Sequence, residues 1–398
     1  MSLTTERTGA PLGLILFALA IGGFAIGTTE FASMSLLPFF SKDLQLDEPT
    51  AGHVISAYAL GVVIGAPVIA VLSARLPRRS LLVGLMLVFA LGNLLSALAD
   101  SYHFMLFARF LAGLPHGAYF GVAALLAATL AGPEKRAQAF SRIMLGLTIA
   151  TIVGVPLANG IGQYFGWRWA FVLVAALALL TASLVAIFAP GGGHDQGGDP
   201  LTELSALARP QVWLTLGIGA VGFGGMFAVY TYLASTMLEV THAPAAAIPF
   251  VLAVCGIGLT IATLISGWAA DRALMPTAGA FLLWSIVALV IYPFATGSLW
   301  TLVPVVLAVG CSGGLAAVLQ TRLMDVAGKA QTLAAALNHS AFNVANALGP
   351  WLAGMALTAG WGLPSTGWVG AALATGGLVF WGLSLALERR QLALAPAE

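Results

Sequence analysis

The chain has 398 residues but only 16 Lys+Arg and 15 Asp+Glu, or 8% charged, against about 25% in a soluble domain. With 60% apolar residues and a net charge of +1, it can neither cover a soluble surface nor present a basic face. A soluble enzyme, a disordered chain and a nucleic-acid binder are therefore excluded. The continuous apolar stretches favour membrane-crossing helices over a barrel.

Crossing about 30 Å of hydrocarbon takes about 20 mostly apolar residues. The first such span covers residues 12–37 and holds Glu30. It is too long for a cleaved leader and lacks a small-residue cleavage site. Span two (51–74) carries Tyr58, and the basic turn Arg75-Leu76-Pro77-Arg78-Arg79 follows it. Spans three (80–99) and four (104–131) come next, the latter with Arg109, His116 and Tyr119. Span five (140–163) is marked by Gly146, Gly154, Pro156 and Gly160, and span six covers 168–189.

A polar break at 190–210 divides the chain into a bundle at 1–189 and a second at 211–398. Span seven (211–236) carries Tyr230 and Tyr232. Span eight (247–270) leads to Asp271 and Arg272, and spans nine and ten cover 276–296 and 299–321. Span eleven (331–358) carries His339, Asn343 and Asn346, and span twelve covers 366–387. Twelve helices in two six-helix bundles are the expected all-α membrane fold.

With the N-terminus inside, the inner loops and tails hold Arg7, Arg75, Arg78, Arg79, Lys135, Arg136, Arg142, Arg209, Arg272, Arg322, Lys329, Arg389 and Arg390. The outer loops hold only Lys42 and Arg168. This bias puts both termini and the linker on the cytoplasmic side.

The halves echo each other. Pro156, Gly160, Gly166 and Trp167 recur as Pro350, Gly354, Gly360 and Trp361, all at an offset of 194 residues. Two related six-helix halves mark a transporter whose site lies between the repeats.

Four stretches carry a family resemblance: Gly27-Thr28-Thr29-Glu30-Phe31, the 75–79 turn, Arg109 through Gly113-Leu114-Pro115-His116-Gly117, and Gly146 with Gly154-Val155-Pro156-Leu157-Ala158-Asn159-Gly160. On these residues the chain resembles the major facilitator superfamily. Within it, the chain is most similar to the twelve-span drug–proton antiporters, on their arabinose-efflux-permease-like branch. The resemblance spans essentially the whole chain. It departs in the turn, where Ala74 and Pro77 stand at the places of the family's Asp and Gly; the second copy keeps Gly267, Asp271 and Arg272. The resemblance implies efflux across an inner membrane, with the basic turns and span-five glycines in gating.

A proton-coupled pump needs a titratable group within the membrane that opens alternately to each side. Glu30 is the acidic residue well inside a span, ~7–8 Å beyond its midpoint at the helical rise. Arg109, ~7–8 Å below the outer start of its span, is at a compatible depth. A charge-assisted pair between them is open to the sequence, with substrate competing for either member. His116 lies two turns beyond Arg109 on the same face, next to Pro115. His339, Asn343 and Asn346 share a face at i, i+4 and i+7. That face suits a neutral polar ligand, or else glue between helices. Tyr58 and Tyr230 are further cavity candidates, with packing as their alternative.

Cys255 and Cys311 read as small packing residues. The histidines lack metal-ligand spacing, and no cofactor is expected. The expected partners are a small molecule, protons and the bilayer, handled by a single copy of the chain. A uniporter or importer stays open. Gly310-Cys311-Ser312-Gly313 with His339 also permits an intramembrane serine protease, which twelve spans and a repeat fit poorly.

Overall fold

The computed structural model describes residues 10–72, 76–132, 135–191, 205–328 and 331–394. Arg75, like Arg7, His194, Lys329 and most of the linker, lies outside them. Among the described residues all regular structure is helical. Among the described residues eleven helical spans are long and apolar enough to cross a membrane. Each closes its backbone hydrogen bonds internally, as hydrocarbon requires. The helix Gln331–Thr358 has the length, at 28 residues. It is not among the eleven: Asn338, His339, Asn343 and Asn346 interrupt its apolar run. It occupies the eleventh place in the series.

Several expected boundaries move. The first span stops at Ser35 rather than residue 37. A short helix, Leu37–Asp43, follows with Pro38 in its first turn, where a missing N–H leaves no bond unmade. Span seven is two helices, Pro210–Gly222 and Gly224–Glu239, meeting at Phe223. Span five is interrupted by a π-helical turn, Ala150–Gly154. Span ten passes through a 3-10 turn at Cys311–Gly314 and continues to Ala327, past its expected end at 321. The last helix runs from Ser365 to Leu394.

The second span packs along the fourth, the third along the fourth and sixth, and the first along the fifth and sixth. Later in the chain the ninth packs on the twelfth, the seventh on the eleventh and twelfth, and the eighth on the tenth. The second span also lies along the eleventh, the fifth along the eighth, and the first along the seventh. The face away from the chain ends is called the far side below.

Gly166 and Gly360 adopt φ of 100° and 81°. Each turns the chain after its helix in the left-handed region that glycine enters without a Cβ penalty. The sequence repeat is thus also a repeat of backbone turn. The following tryptophans differ: Trp167 is buried and Trp361 is exposed.

On the far side Asp43 accepts hydrogen bonds from Arg168 and from Trp167 Nε1, the latter at 3.1 Å. Arg168 also donates to the Ala99 carbonyl at 2.9 Å. These bonds, Arg168's first, hold the Asp43 carboxyl below its usual range. A depressed carboxyl stabilises the fold above its unfolded pKa of about 3.9 and loses that contribution as pH falls through its folded value. Both partners are over a third exposed, so screening keeps the contribution at or below about 1 kcal/mol. Asp43→Asn is expected to lower the melting temperature slightly at pH 7, with the difference from wild type shrinking as the pH is lowered through the acid range below the unfolded carboxyl's pKa, measured by thermal unfolding in detergent.

The span-five glycines divide by environment. A Cβ on Gly146 would collide with the Ala20 carbonyl of the first span, and one on Gly154 with Thr28 and Phe24. One on Gly160 would meet nothing. Gly146 and Gly154 therefore serve the close approach of spans one and five. Gly146→Val is expected to cost about 1–3 kcal/mol by forcing these helices apart. Gly160→Ala is expected to leave the same melting curve unchanged.

Candidate functional site

Among the described residues Glu30 is the one buried acidic side chain, at 8% exposure. A carboxylate there needs a partner. Asn346 Nδ2, on the eleventh span, donates to Glu30 Oε1 at 3.2 Å. This bond joins residues 316 positions apart and crosses from the first six spans to the last six.

Arg109 is fully buried. Its guanidinium donates to Thr29 Oγ1 at 3.1 Å and to Ser33 Oγ at 3.2 Å. It also sits 4.4 Å from the Tyr58 ring centroid and 5.2 Å from that of Phe171, within cation–π range. Among the described residues no ion pair joins Arg109 to Glu30. Arg109 binds the hydroxyls that bracket the acid on its own helix instead. Thr29 Oγ1 in turn donates to Asn93 Oδ1 at 2.7 Å, and Asn93 Nδ2 to the Phe89 carbonyl at 2.8 Å. Spans one, three and four are tied together through one cation.

Tyr58 and His116 are both buried and hydrogen-bonded, hydroxyl to Nδ1, at 3.0 Å. Phe120, one turn beyond His116, stacks on His339 with ring centroids 5.5 Å apart and an interplanar angle of 3°. Asn343 Nδ2 donates to the His339 carbonyl at 3.0 Å. Ser56 Oγ donates to the Ala347 carbonyl at 3.0 Å. Spans two, four and eleven thus meet along one seam, with Glu30 at its far end.

Tyr230 stands apart from this group. Its ring packs edge-on against Phe31 at 5.3 Å. It lines a small gap with Phe31, Thr151, Met226, Cys255, Gly256 and Leu259. Tyr119 and Tyr232 donate to the Leu19 and Pro350 carbonyls, which makes them helix-to-helix ties.

The basic-turn residues lie elsewhere. Arg78 donates to the Leu125 carbonyl at 2.9 Å and to Thr129 Oγ1 at 2.6 Å, and Arg79 to the Ala186 carbonyl. Arg272 donates to the Trp268 carbonyl at 2.8 Å and lies over that residue's ring at 3.9 Å. Asp271 is exposed. Ser312 Oγ is buried without a partner among the described residues, while His339 is engaged with Phe120, so nothing pairs them as nucleophile and base.

Sequence reasoning missed Thr29, Ser33 and Asn93. The available signal was two hydroxyls at i and i+4 bracketing the only acid in an apolar helix. It included Asn159 only within the span-five stretch and gave it no role; Asn159 donates to the Ser35 carbonyl at 3.0 Å and to Ser35 Oγ at 3.1 Å. Asn159 Oδ1 accepts from Gln163, which also donates to the Ala245 carbonyl at 2.9 Å. That set fastens the far end of span five to the first span and to the start of the eighth.

The family model described as Major Facilitator Superfamily matches residues 19–331. The chain is 38% identical over 362 residues to the inner membrane transport protein YdhP of Escherichia coli K12, covering 90% of this chain and 92% of that one. It is 34% identical over 397 residues to a chloramphenicol resistance protein of Streptomyces lividans, covering 98% and 99%. In fold it is similar to a bacterial homolog of the human lysosomal transporter Spinster, solved in an inward-facing, occupied conformation. That match has a TM-score of 0.72 at 18% identity, over 97% of this chain and 99% of the other.

Proposed function

The chain belongs to the major facilitator superfamily, and from that premise we propose that this membrane transporter is a proton-coupled exporter of a small organic compound. It is a secondary transporter and not an enzyme. In the proposed cycle two six-helix bundles, 1–189 and 211–398, rock about a central site in an inner membrane. The linker at 190–210 and both termini face the cytoplasm. A proton loads Glu30 from outside and is released inside as substrate binds.

The observation that carries this reading is the 3.2 Å bond from Asn346 to Glu30. The one buried acid among the described residues bonds from one bundle to the other, so whatever occupies or protonates it acts on a contact that must break for the site to change sides. Arg109, bonded to Thr29 and Ser33, keeps a positive charge close to the acid and sets its proton affinity. His116, His339, Asn343 and Tyr58 supply the polar wall for the ligand.

The bundle contacts described above run from Phe120–His339 on the chain-end half, through Glu30–Asn346 and Ser56–Ala347, to Gln163–Ala245 on the far side. The Streptomyces relative's name and the amide face of span eleven favour a neutral, hydroxyl- or amide-bearing substrate of the phenicol type.

The test is substrate-induced proton movement in inside-out vesicles, over a panel of phenicols, sugars, nucleosides and lipophilic cations. A compound that collapses the imposed pH gradient in wild-type vesicles establishes antiport. Transport of any of these compounds at rates indifferent to the gradient would favour the uniporter instead.

A further inference from the structure

Resting on the reading of Glu30 as the proton carrier, we propose that the Asn346 side chain reads the protonation state of Glu30 and presents it to the ligand as an exchange of acceptor for donor. Asn346 is fully buried, its Nδ2 bonds Glu30, and its Oδ1 has no partner among the described residues. One turn earlier Asn343 is also buried, with Nδ2 held by the His339 carbonyl and Oδ1 again unpartnered. Two orphaned amide oxygens on one helix face are costly unless a donor reaches them. The terminal guanidinium nitrogens of Arg109 are turned to Thr29 and Ser33, with Nε unpartnered, and the Tyr58 hydroxyl is bonded to His116. The donors for these two oxygens are assigned to the ligand.

A carboxylate can only accept hydrogen bonds. While Glu30 is ionised, Asn346 must turn Nδ2 toward it and leave Oδ1 to the ligand. A protonated Glu30 carries an O–H and can donate to Oδ1. The amide then turns over about its last torsion, which is soft and nearly twofold, and shows the ligand an N–H. The site changes from two acceptors to one acceptor and one donor. The ligand it suits in the ionised state is a neutral molecule with two donors roughly 5–6 Å apart, the spacing of adjacent turns, such as a diol or amido alcohol. Protonation removes one partner and leaves like facing like, so proton and ligand exclude each other without sharing an atom. The other titratable groups near this position are Arg109 on span four and Tyr58 on span two, with His116 and His339 further along the seam. Those with hydrogen bonds on this seam are held on sides other than the Asn346 amide.

The test uses the full chain, purified in detergent, with equilibrium binding of chloramphenicol and of methyl arabinoside across the pH range in which the Glu30 carboxyl titrates. That range is read from its infrared C=O stretch, identified by its absence in Glu30→Gln. Wild-type affinity is expected to fall about tenfold on protonation, the worth of one good hydrogen bond to a buried group. Asn346→Leu is expected to bind weakly at every pH with the dependence gone, and Asn343→Leu to bind weakly with the dependence kept. A wild-type pH dependence in Asn346→Leu, or its loss in both variants, overturns the proposal. If neither probe binds any variant, the infrared arm decides. The protonated C=O stretch of Glu30 must shift in folded Asn346→Leu, and an unchanged band overturns the relay. Failure of proton antiport alongside that shift would instead fault the transport reading.

Discussion

Glu30→Gln is expected to reduce gradient-driven export to the level of vesicles lacking the protein, while ligand binding survives. Glutamine keeps the length of the side chain and an oxygen that can accept from Asn346 Nδ2, so the contact between spans one and eleven persists. What it cannot do is gain or lose a proton. The loss should therefore appear as uncoupling, with ligand exchange between equal pools retained. Glu30→Asp keeps the proton but draws the carboxyl back by one carbon, beyond good reach of Asn346. It is expected to retain slowed, pH-dependent transport. Proton flux and counterflow, measured side by side in proteoliposomes, separate these outcomes. Wild-type gradient-driven rates in Glu30→Gln would remove the residue from the coupling step.

Arg109→Ala is expected to damage both activity and fold. The substitution opens a cavity beside Tyr58 and Phe171, strips Thr29 and Ser33 of a donor, and takes the nearby positive charge from Glu30. Large-to-small changes at fully buried sites cost on the order of 2–5 kcal/mol, and the lost hydrogen bonds add to this. Transport is expected to fall at least tenfold. The informative companion is Arg109→Lys, which keeps the charge but not the planar fork that serves two hydroxyls at once. If Arg109 acts chiefly through charge, the lysine variant recovers the pH profile with a lowered melting temperature. Melting and profile lost together would mark it as a positioning residue for the first span.

Glu30 and Arg109 were legible because charge inside an apolar run costs so much that its presence demands a reason. The helices were legible for the complementary reason that long apolar segments in lipid have almost no other way to close their hydrogen bonds. What was not legible was who bonds whom. The sequence allowed a Glu30–Arg109 pair, and depth along the helices agreed with it. The structure instead gives Arg109 to Thr29 and Ser33 and Glu30 to Asn346, because rotation about the helix axes, invisible to depth arguments, decides which faces meet. Breaks at Leu36 and Phe223 were also passed over, although Pro38 and the Gly224-Gly225 pair were there to mark them. A continuous hydropathy profile masks such interruptions when the residues on both sides are equally apolar.

The π-helical turn at Ala150–Gly154 acts as a phase shift written into span five. An α-helix advances about 100° per residue, and a π turn accommodates one residue more than the regular winding would. The two segments of this span are therefore rotated against each other by about that angle, and no single helical wheel drawn through 140–163 can represent both. Gly146 meets the first span from one phase, while Asn159 meets Ser35 from the other. Shortening the turn by one residue would leave composition and length almost untouched. It would nonetheless swing the far-side fastening of Asn159 and Gln163 a quarter turn away from its partners.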